Sequence, residues 1–142
     1  MRRKLVTVVG LLSMLLLGAL AAHADTVLCT AKIPFDFTVG KQTLPAGEYM
    51  IVRLTWPQPI FEIRNTTSGQ ARFFFAIVEE PKSEGSSNFS FVFNAYGDTH
   101  FLSAVLMGTA EASLYLPKTK HERELTAMGK VPGKIQIAEL GR

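Results

Sequence analysis

A single cysteine, Cys29, is present among the 142 residues, so the chain cannot form an internal disulfide bond. A fold without disulfide bonds has to be stabilised by packing. We expect Cys29 to serve as a small apolar side chain in the first strand. An intermolecular disulfide that joins two copies of the chain is the alternative.

Catalytic and metal-binding motifs are also lacking. The sequence contains no G-x-S-x-G nucleophile elbow, no P-loop, no G-x-G-x-x-G and no H-E-x-x-H. His121-Glu122 begins like a zinc-peptidase motif, but Leu125 stands where the second histidine would bind the metal. We therefore expect no catalytic residue, no metal and no cofactor.

One pair of residues, Asp98 and His100, offers a carboxylate and an imidazole two positions apart. Such a pair can bind a metal or transfer a proton. Both residues lie at the mouth of a predicted hairpin, which favours a rim histidine with an ordinary hydrogen bond. A hydrolase that uses Asp98 and His100 is accordingly the least favoured functional hypothesis.

Acidic residues are absent from the first 24 positions, where the basic residues Arg2–Lys4 precede the apolar run Leu5–Ala22. Together with the A-x-A sequence that ends at Ala24, this pattern is typical of a secretory signal peptide. We predict a signal peptide over residues 1–24, cleavage after Ala24, and export to the periplasm or the extracellular space. Because the apolar run is long for a signal peptide, an uncleaved anchor is the alternative.

The chain beyond residue 24 has no net charge. Three of the 15 Lys and Arg lie in residues 1–24 and all 12 Asp and Glu lie beyond them, so the rest of the chain has 12 basic and 12 acidic residues. A neutral chain has no electrostatic basis for binding nucleic acid, and we expect membrane contact only through the signal segment. Residues 118–142 hold six basic and three acidic side chains, a pattern usual for a solvated face.

Long helical periodicity is missing before the C-terminal region, and short apolar stretches separated by turn residues take its place. All ten Phe, three Tyr and one Trp follow position 24 and indicate a packed core. The predicted strands are Val27–Ile33, Phe35–Val39, Glu48–Leu54, Ile60–Arg64, Arg72–Glu79, Asn88–Tyr96, Thr99–Met107, Ala112–Leu116 and Lys134–Glu139. We predict one all-β domain over residues 25–142, an antiparallel β-sandwich or small β-barrel with a short C-terminal helix.

Two strand predictions are specific. Gly97-Asp98 favours a type II′ hairpin turn, because glycine occupies the first central position. The resulting pairs on the core face are Phe93–Leu102, Phe91–Ala104 and Phe89–Leu106. The segment Arg72–Glu79 is apolar on both faces, which predicts a central strand with packing on each side.

The C-terminal helix is predicted from about Lys120 to Met128. Thr119 and Glu122 have the T-x-x-E spacing of a capping box, and Gly129 ends the helical pattern. Its inner stripe would consist of His121, Leu125 and Met128.

The aromatic strands also allow a ligand site. A closed barrel of this size can hold one small apolar ligand. The candidate lining residues are Phe89, Phe91, Phe93 and Leu102. Because small barrels are usually just wide enough for their own side chains, a filled core is favoured.

Four segments in fixed order resemble an uncharacterised family of small exported bacterial proteins of the acidobacterial type. They are Ile33–Gly40 (IPFDFTVG), Leu44–Tyr49 (LPAGEY), Tyr96–Leu102 (YGDTHFL) and Leu116–Leu125 (LPKTKHEREL). The resemblance implies export and a bacterial source, and no catalytic residue. Relatives often carry a basic residue before the Tyr of Y-G-D, where this chain has Ala95.

These observations favour an exported, non-enzymatic β-domain that acts by binding or as a structural protein. It would belong to the cell envelope or be secreted. Its partner would be an envelope protein or surface. The carrier of a small apolar ligand is the alternative function. An exposed edge strand would also allow a homodimer.

Overall fold

The structure, a computed structural model, describes residues 26–54, 60–80, 89–108 and 112–140. The predicted signal peptide and its cleavage site lie outside the described residues. The strands are β1 (Thr26–Ile33), β2 (Phe37–Val39), β3 (Gln42–Leu44), β4 (Gly47–Arg53), β5 (Ile60–Asn65), β6 (Ala71–Phe75), β7 (Ile77–Glu79), β8 (Phe89–Tyr96), β9 (Thr99–Met107), β10 (Ser113–Tyr115) and β11 (Gly133–Ala138), and the helix is α1 (Lys120–Ala127). The sequence predicts a strand at each of these positions except β3.

The strands form two sheets whose inner faces share one core. The first sheet has the order β1-β4-β5-β6, with every neighbouring pair antiparallel. The second has the order β11-β8-β9-β10-β7, and β2 joins it in parallel with β9 while pairing with β3. The sheets do not close into a barrel. The prediction of an all-β sandwich with a short C-terminal helix is confirmed, and the barrel alternative is not.

The core lies between the two sheets and consists largely of alternate side chains from each. Tyr49, Ile51 and Ile63 come from the first sheet, and Phe91 and Phe93 come from the second. Each is at most 1% exposed. Burial of one such side chain stabilises the fold by about 1.5–3 kcal/mol, so packing alone accounts for a fold that lacks an internal disulfide.

The beginning and the end of the described chain are neighbours. β11 pairs with β8 at the edge of the second sheet. Just beyond it, the backbone N–H of Leu140 donates to the carbonyl oxygen of Thr30 in β1 at 2.9 Å. The first and last strands therefore close one side of the sandwich.

The β8–β9 hairpin has the predicted turn. Gly97 has a φ of 64°, and Asp98 has a negative φ, as in a type II′ turn. Phe93 lies opposite Leu102, as the sequence predicts. Near the turn, the register is therefore confirmed.

Farther from the turn, a β-bulge makes the predicted register wrong by one residue. Phe91 lies opposite Val105 rather than Ala104, and Phe89 lies opposite Met107 rather than Leu106. The extra residue is Ser103, whose hydroxyl donates to the Val92 carbonyl oxygen at 3.0 Å. The bulge turns Val105 and Met107 into the core, where both are at most 1% exposed.

The predicted central strand Arg72–Glu79 is instead two edge strands. β6 ends the first sheet at Phe75, and the chain crosses at Ala76 to the second sheet as β7. Phe74 points into the core and is 5% exposed, whereas Phe73 is 69% exposed. The prediction of packing on both faces is wrong, because only the inner face of β6 is covered.

The helix α1 begins as predicted. The side chain of Thr119 accepts a hydrogen bond from the backbone N–H of Glu122 at 3.0 Å, which caps the first turn. The helix ends at Ala127, and Gly129 follows with a φ of 79°. Leu125 is buried against the second sheet, as the sequence predicts.

The prediction that His121 and Met128 also face the sheet is wrong. The His121 side chain is 63% exposed and Met128 is 74% exposed. Glu122 faces the sheet instead and is 2% exposed, with its Oε1 accepting from Asn94 Nδ2 at 2.5 Å. Lys134 Nζ donates to Asn94 Oδ1 at 2.5 Å. A polar network that links the helix to β8 and β11 thus replaces the apolar stripe.

Candidate functional site

The residues proposed to line a ligand cavity belong to the core. Phe91 and Phe93 are fully buried, Leu102 is 4% exposed, and Phe89 packs against the same cluster. The Phe93 ring makes edge-to-face contacts with other aromatic rings, at 5.2 Å from Phe35 and 5.4 Å from Phe37. Aromatic rings in direct contact occupy the place proposed for an apolar ligand.

Asp98 and His100 do not form an acid–base pair. Asp98 is exposed in the turn. The His100 ring stacks on Phe35 at 4.1 Å, and its Nδ1 lies 3.2 Å from the carbonyl oxygen of Asp36. Since a carbonyl only accepts, Nδ1 carries the proton in this contact. The histidine holds the segment before β2 against the hairpin.

Cys29 lies on the inner side of β1, opposite Ile51, and is 1% exposed. A disulfide to a second chain would require this strand to leave the core. Its placement matches that of a small apolar side chain.

A groove of about 670 Å³ lies between the β2–β3 hairpin and the N-terminal end of α1. Thr38, Lys41 and Thr43 line one wall, and residues 117–121, 123 and 124 line the other. The ring of Phe101, only 1% exposed, also contributes to the lining. This volume is typical of small-molecule sites in proteins.

The hairpin wall depends on a tight turn. Gly40 has a φ of 60°, a conformation that glycine adopts without strain, and Lys41 follows it in the turn. The Thr38 and Thr43 hydroxyl oxygens lie 3.3 Å apart across the two strands. Thr38 also pairs in parallel with Phe101, which fixes the hairpin to β9.

The other wall is fixed at the start of the helix. Arg123 Nη1 donates to the carbonyl oxygen of Lys118 at 2.8 Å, so the guanidinium group is held beside the first turn. The Thr119 cap sets the direction of α1. The positive end of the helix dipole therefore lies at the groove.

Basic side chains dominate this space, which we call the basic groove. Its ionisable lining consists of Lys41, Lys118, Lys120, His121, Arg123 and Glu124. The single carboxylate lies 3.8 Å from Lys120 and 3.7 Å from His121 Nδ1. Four Lys and Arg side chains against one carboxylate make the groove electropositive, although the chain beyond residue 24 is neutral overall.

Sequence reasoning identified only half of the basic groove. It noted the basic excess from Lys118 onward but did not connect it with Lys41. The missing signal was Gly40-Lys41, which separates two short stretches of strand-forming residues. A glycine in a two-residue connection indicates a hairpin, and this hairpin supplies the second wall.

In the part of the chain that the structure describes, no group of three or more His, Cys, Asp or Glu side chains could hold a metal ion. Over the same residues, no helix has the length and apolar character needed to cross a membrane. No protein-family model, no curated protein and no solved structure matches this chain.

Proposed function

We propose that this chain is an exported, non-enzymatic protein, of the bacterial envelope or secreted, that binds an anionic ligand in the basic groove. The observation that carries the proposal is that four Lys and Arg residues, from the β2–β3 turn and from the start of α1, line one concave space. A solvated basic face would spread such charges over a convex surface, where they repel one another without enclosing anything.

The groove favours a ligand with at least two negative charges, borne as carboxylate or phosphate groups. Lys41 and Lys120 line opposite walls, so a ligand with two negative charges can pair with both. The concave shape suits a compact acidic molecule or the acidic end of an envelope polymer, which can enter it. A flat bilayer surface would contact only the outer rim of the basic groove and not its lining.

The test is an NMR titration of the exported protein with two soluble anions, tripolyphosphate and trigalacturonate. Maltotriose serves as the uncharged control. We expect the amide signals of residues 40–43 and 118–124 to shift with an anion and to stay in place with maltotriose. The anion that binds more tightly distinguishes a phosphate ligand from a carboxylate ligand.

Lys41→Gln is the diagnostic variant, and Lys32→Gln is its matched control, since Lys32 is an exposed lysine on β1 outside the groove. We expect Lys41→Gln to weaken binding about fivefold at low ionic strength, the effect of one exposed charge pair. Added salt should weaken binding by the wild type as well, because it screens exposed charges. The proposal fails if neither anion binds below about 1 mM, or if the two variants weaken binding equally.

A further inference from the structure

The outer edge of β6 is an exposed apolar strand edge. Within the described residues, β6 pairs only with β5. Phe73 and Phe75 are each 69% exposed, and Ile77 just beyond the crossing is 61% exposed. Proteins usually protect a strand edge with lysine, proline or a covering segment, because it can pair with another chain.

The hydrogen-bonding phase of β6 shows which backbone groups point outward. Asn65 N–H donates to the Gln70 carbonyl oxygen at 2.8 Å, which makes these two residues a hydrogen-bonded pair. Such pairs alternate along an antiparallel ladder, so Arg72 and Phe74 point their backbone groups toward β5. Phe73 and the other alternate residues point theirs toward the free side.

The backbone edge and the exposed aromatic side chains therefore belong to the same residues. A cavity of about 420 Å³ lies beside the start of this edge, between residues 39–42 and residues 71–73. At this end the Ala71 carbonyl oxygen accepts from Arg72 Nη1 at 2.7 Å, so the edge available to an incoming strand begins at Phe73.

We propose that β6 pairs with β6 of a second copy of this chain, antiparallel and about a two-fold axis. Two β6 edges can form backbone hydrogen bonds when residues whose backbone groups point outward lie opposite each other. Phe73 lies opposite Phe75 of the second copy in such a register. That register forms two aromatic cross-strand pairs, a favourable kind of contact. The four strands of the first sheet would continue into the four of the second copy.

Charge and area also point to a second copy. The outward side chains Phe73 and Phe75 are uncharged, while the Arg72 guanidinium donates to the Ala71 carbonyl oxygen at 2.7 Å at the start of the edge. The chain beyond residue 24 is neutral, so net charge does not oppose the approach of a second copy. Phe73, Phe75 and Ile77 together expose on the order of 400 Å² in each copy. A standard interface buries about 800 Å² per partner. We therefore expect a reversible dimer with a Kd on the order of 100 µM.

Sedimentation velocity of the exported protein over a wide concentration range tests the dimer. We expect Phe75→Lys to weaken dimerisation at least tenfold, because it places a charge in the interface. Val131→Lys is the matched control, since Val131 is 88% exposed and lies away from β6, and it should dimerise like the wild type.

A second variant tests the backbone pairing. Phe73→Pro removes an N–H that points away from β5, so the ladder within the chain stays intact while the dimer is lost. In hydrogen exchange, the amides of Phe73 and Phe75 should slow as the concentration rises. The amides of Arg72 and Phe74 should not change, because β5 already protects them.

A monomer at every concentration would overturn the proposal, as would a dimer that both variants leave intact. A monomer whose β6 edge instead captures a different polypeptide would also overturn the second-copy assignment. Lys120→Gln changes the basic groove but not the cavity beside β6, so it should dimerise like the wild type, and failure of the dimer is distinguishable from failure of the basic groove.

Discussion

Replacement of Glu122 by alanine should destabilise the fold by about 2 kcal/mol. The carboxylate is 2% exposed and accepts from Asn94 Nδ2 at 2.5 Å. Its removal leaves Asn94, itself 4% exposed, with a buried donor that lacks an acceptor, which costs about 1–3 kcal/mol. Relief of the desolvation of a buried charge offsets part of this cost. Glu122 N–H donates to the Thr119 cap through the backbone and survives the change.

Urea unfolding followed by circular dichroism measures this difference, and Glu124→Ala is the matched control. Glu124 is on the same helix with its side chain 51% exposed, so its loss should change the free energy of unfolding by less than about 0.5 kcal/mol. The double variant Asn94→Ala/Glu122→Ala should cost less than the sum of the two single changes, because neither polar group is then left alone. Equal effects of Glu122→Ala and Glu124→Ala, or strict additivity in the double variant, would refute the reasoning.

Two further predictions concern the first sheet. Gly47→Ala should cost about 1–3 kcal/mol in thermal unfolding, because a Cβ there would lie 2.8 Å from Asn65 Nδ2. Gly133→Ala, where the nearest atom would be 3.9 Å away, should be nearly neutral, and equal effects of the two would contradict the steric argument. Cys29 should react with a thiol reagent much more slowly in the native protein than in urea, since it is 1% exposed. Equal rates in an absorbance assay would show that β1 opens readily.

The sequence predicts structure well where local chemistry determines it. Gly97-Asp98 specifies a turn, and the strands that leave it are in the predicted register as far as Phe93. The bulge at Ser103 has no local signal. Its effect, which places Val105 and Met107 in the core, is defined only by the packed structure.

The remaining errors have the same origin. A buried glutamate on α1 was not foreseen, because its partner Asn94 lies 28 positions away. The segment Arg72–Glu79 looked central because both of its faces are apolar, yet the chain changes sheets at Ala76. The sequence indicates the basic residues from Lys118 onward but not the wall that holds Lys41, because the β2–β3 hairpin is not predicted. Each failure concerns residues brought together across long sequence separations.

The hydrogen bond from Leu140 to Thr30 has a consequence for the order in which the sandwich is completed. During synthesis from the N-terminus, all four strands of the first sheet are complete once Phe75 has been added. The inner face of that sheet remains exposed until β8 and β9 have been synthesised. The side that β1 shares with β11 closes only when β11 and Leu140 have arrived. Such non-local pairing is slow and leaves apolar surface exposed meanwhile. During synthesis the first sheet therefore passes through a stage in which its apolar inner face is open to aggregation.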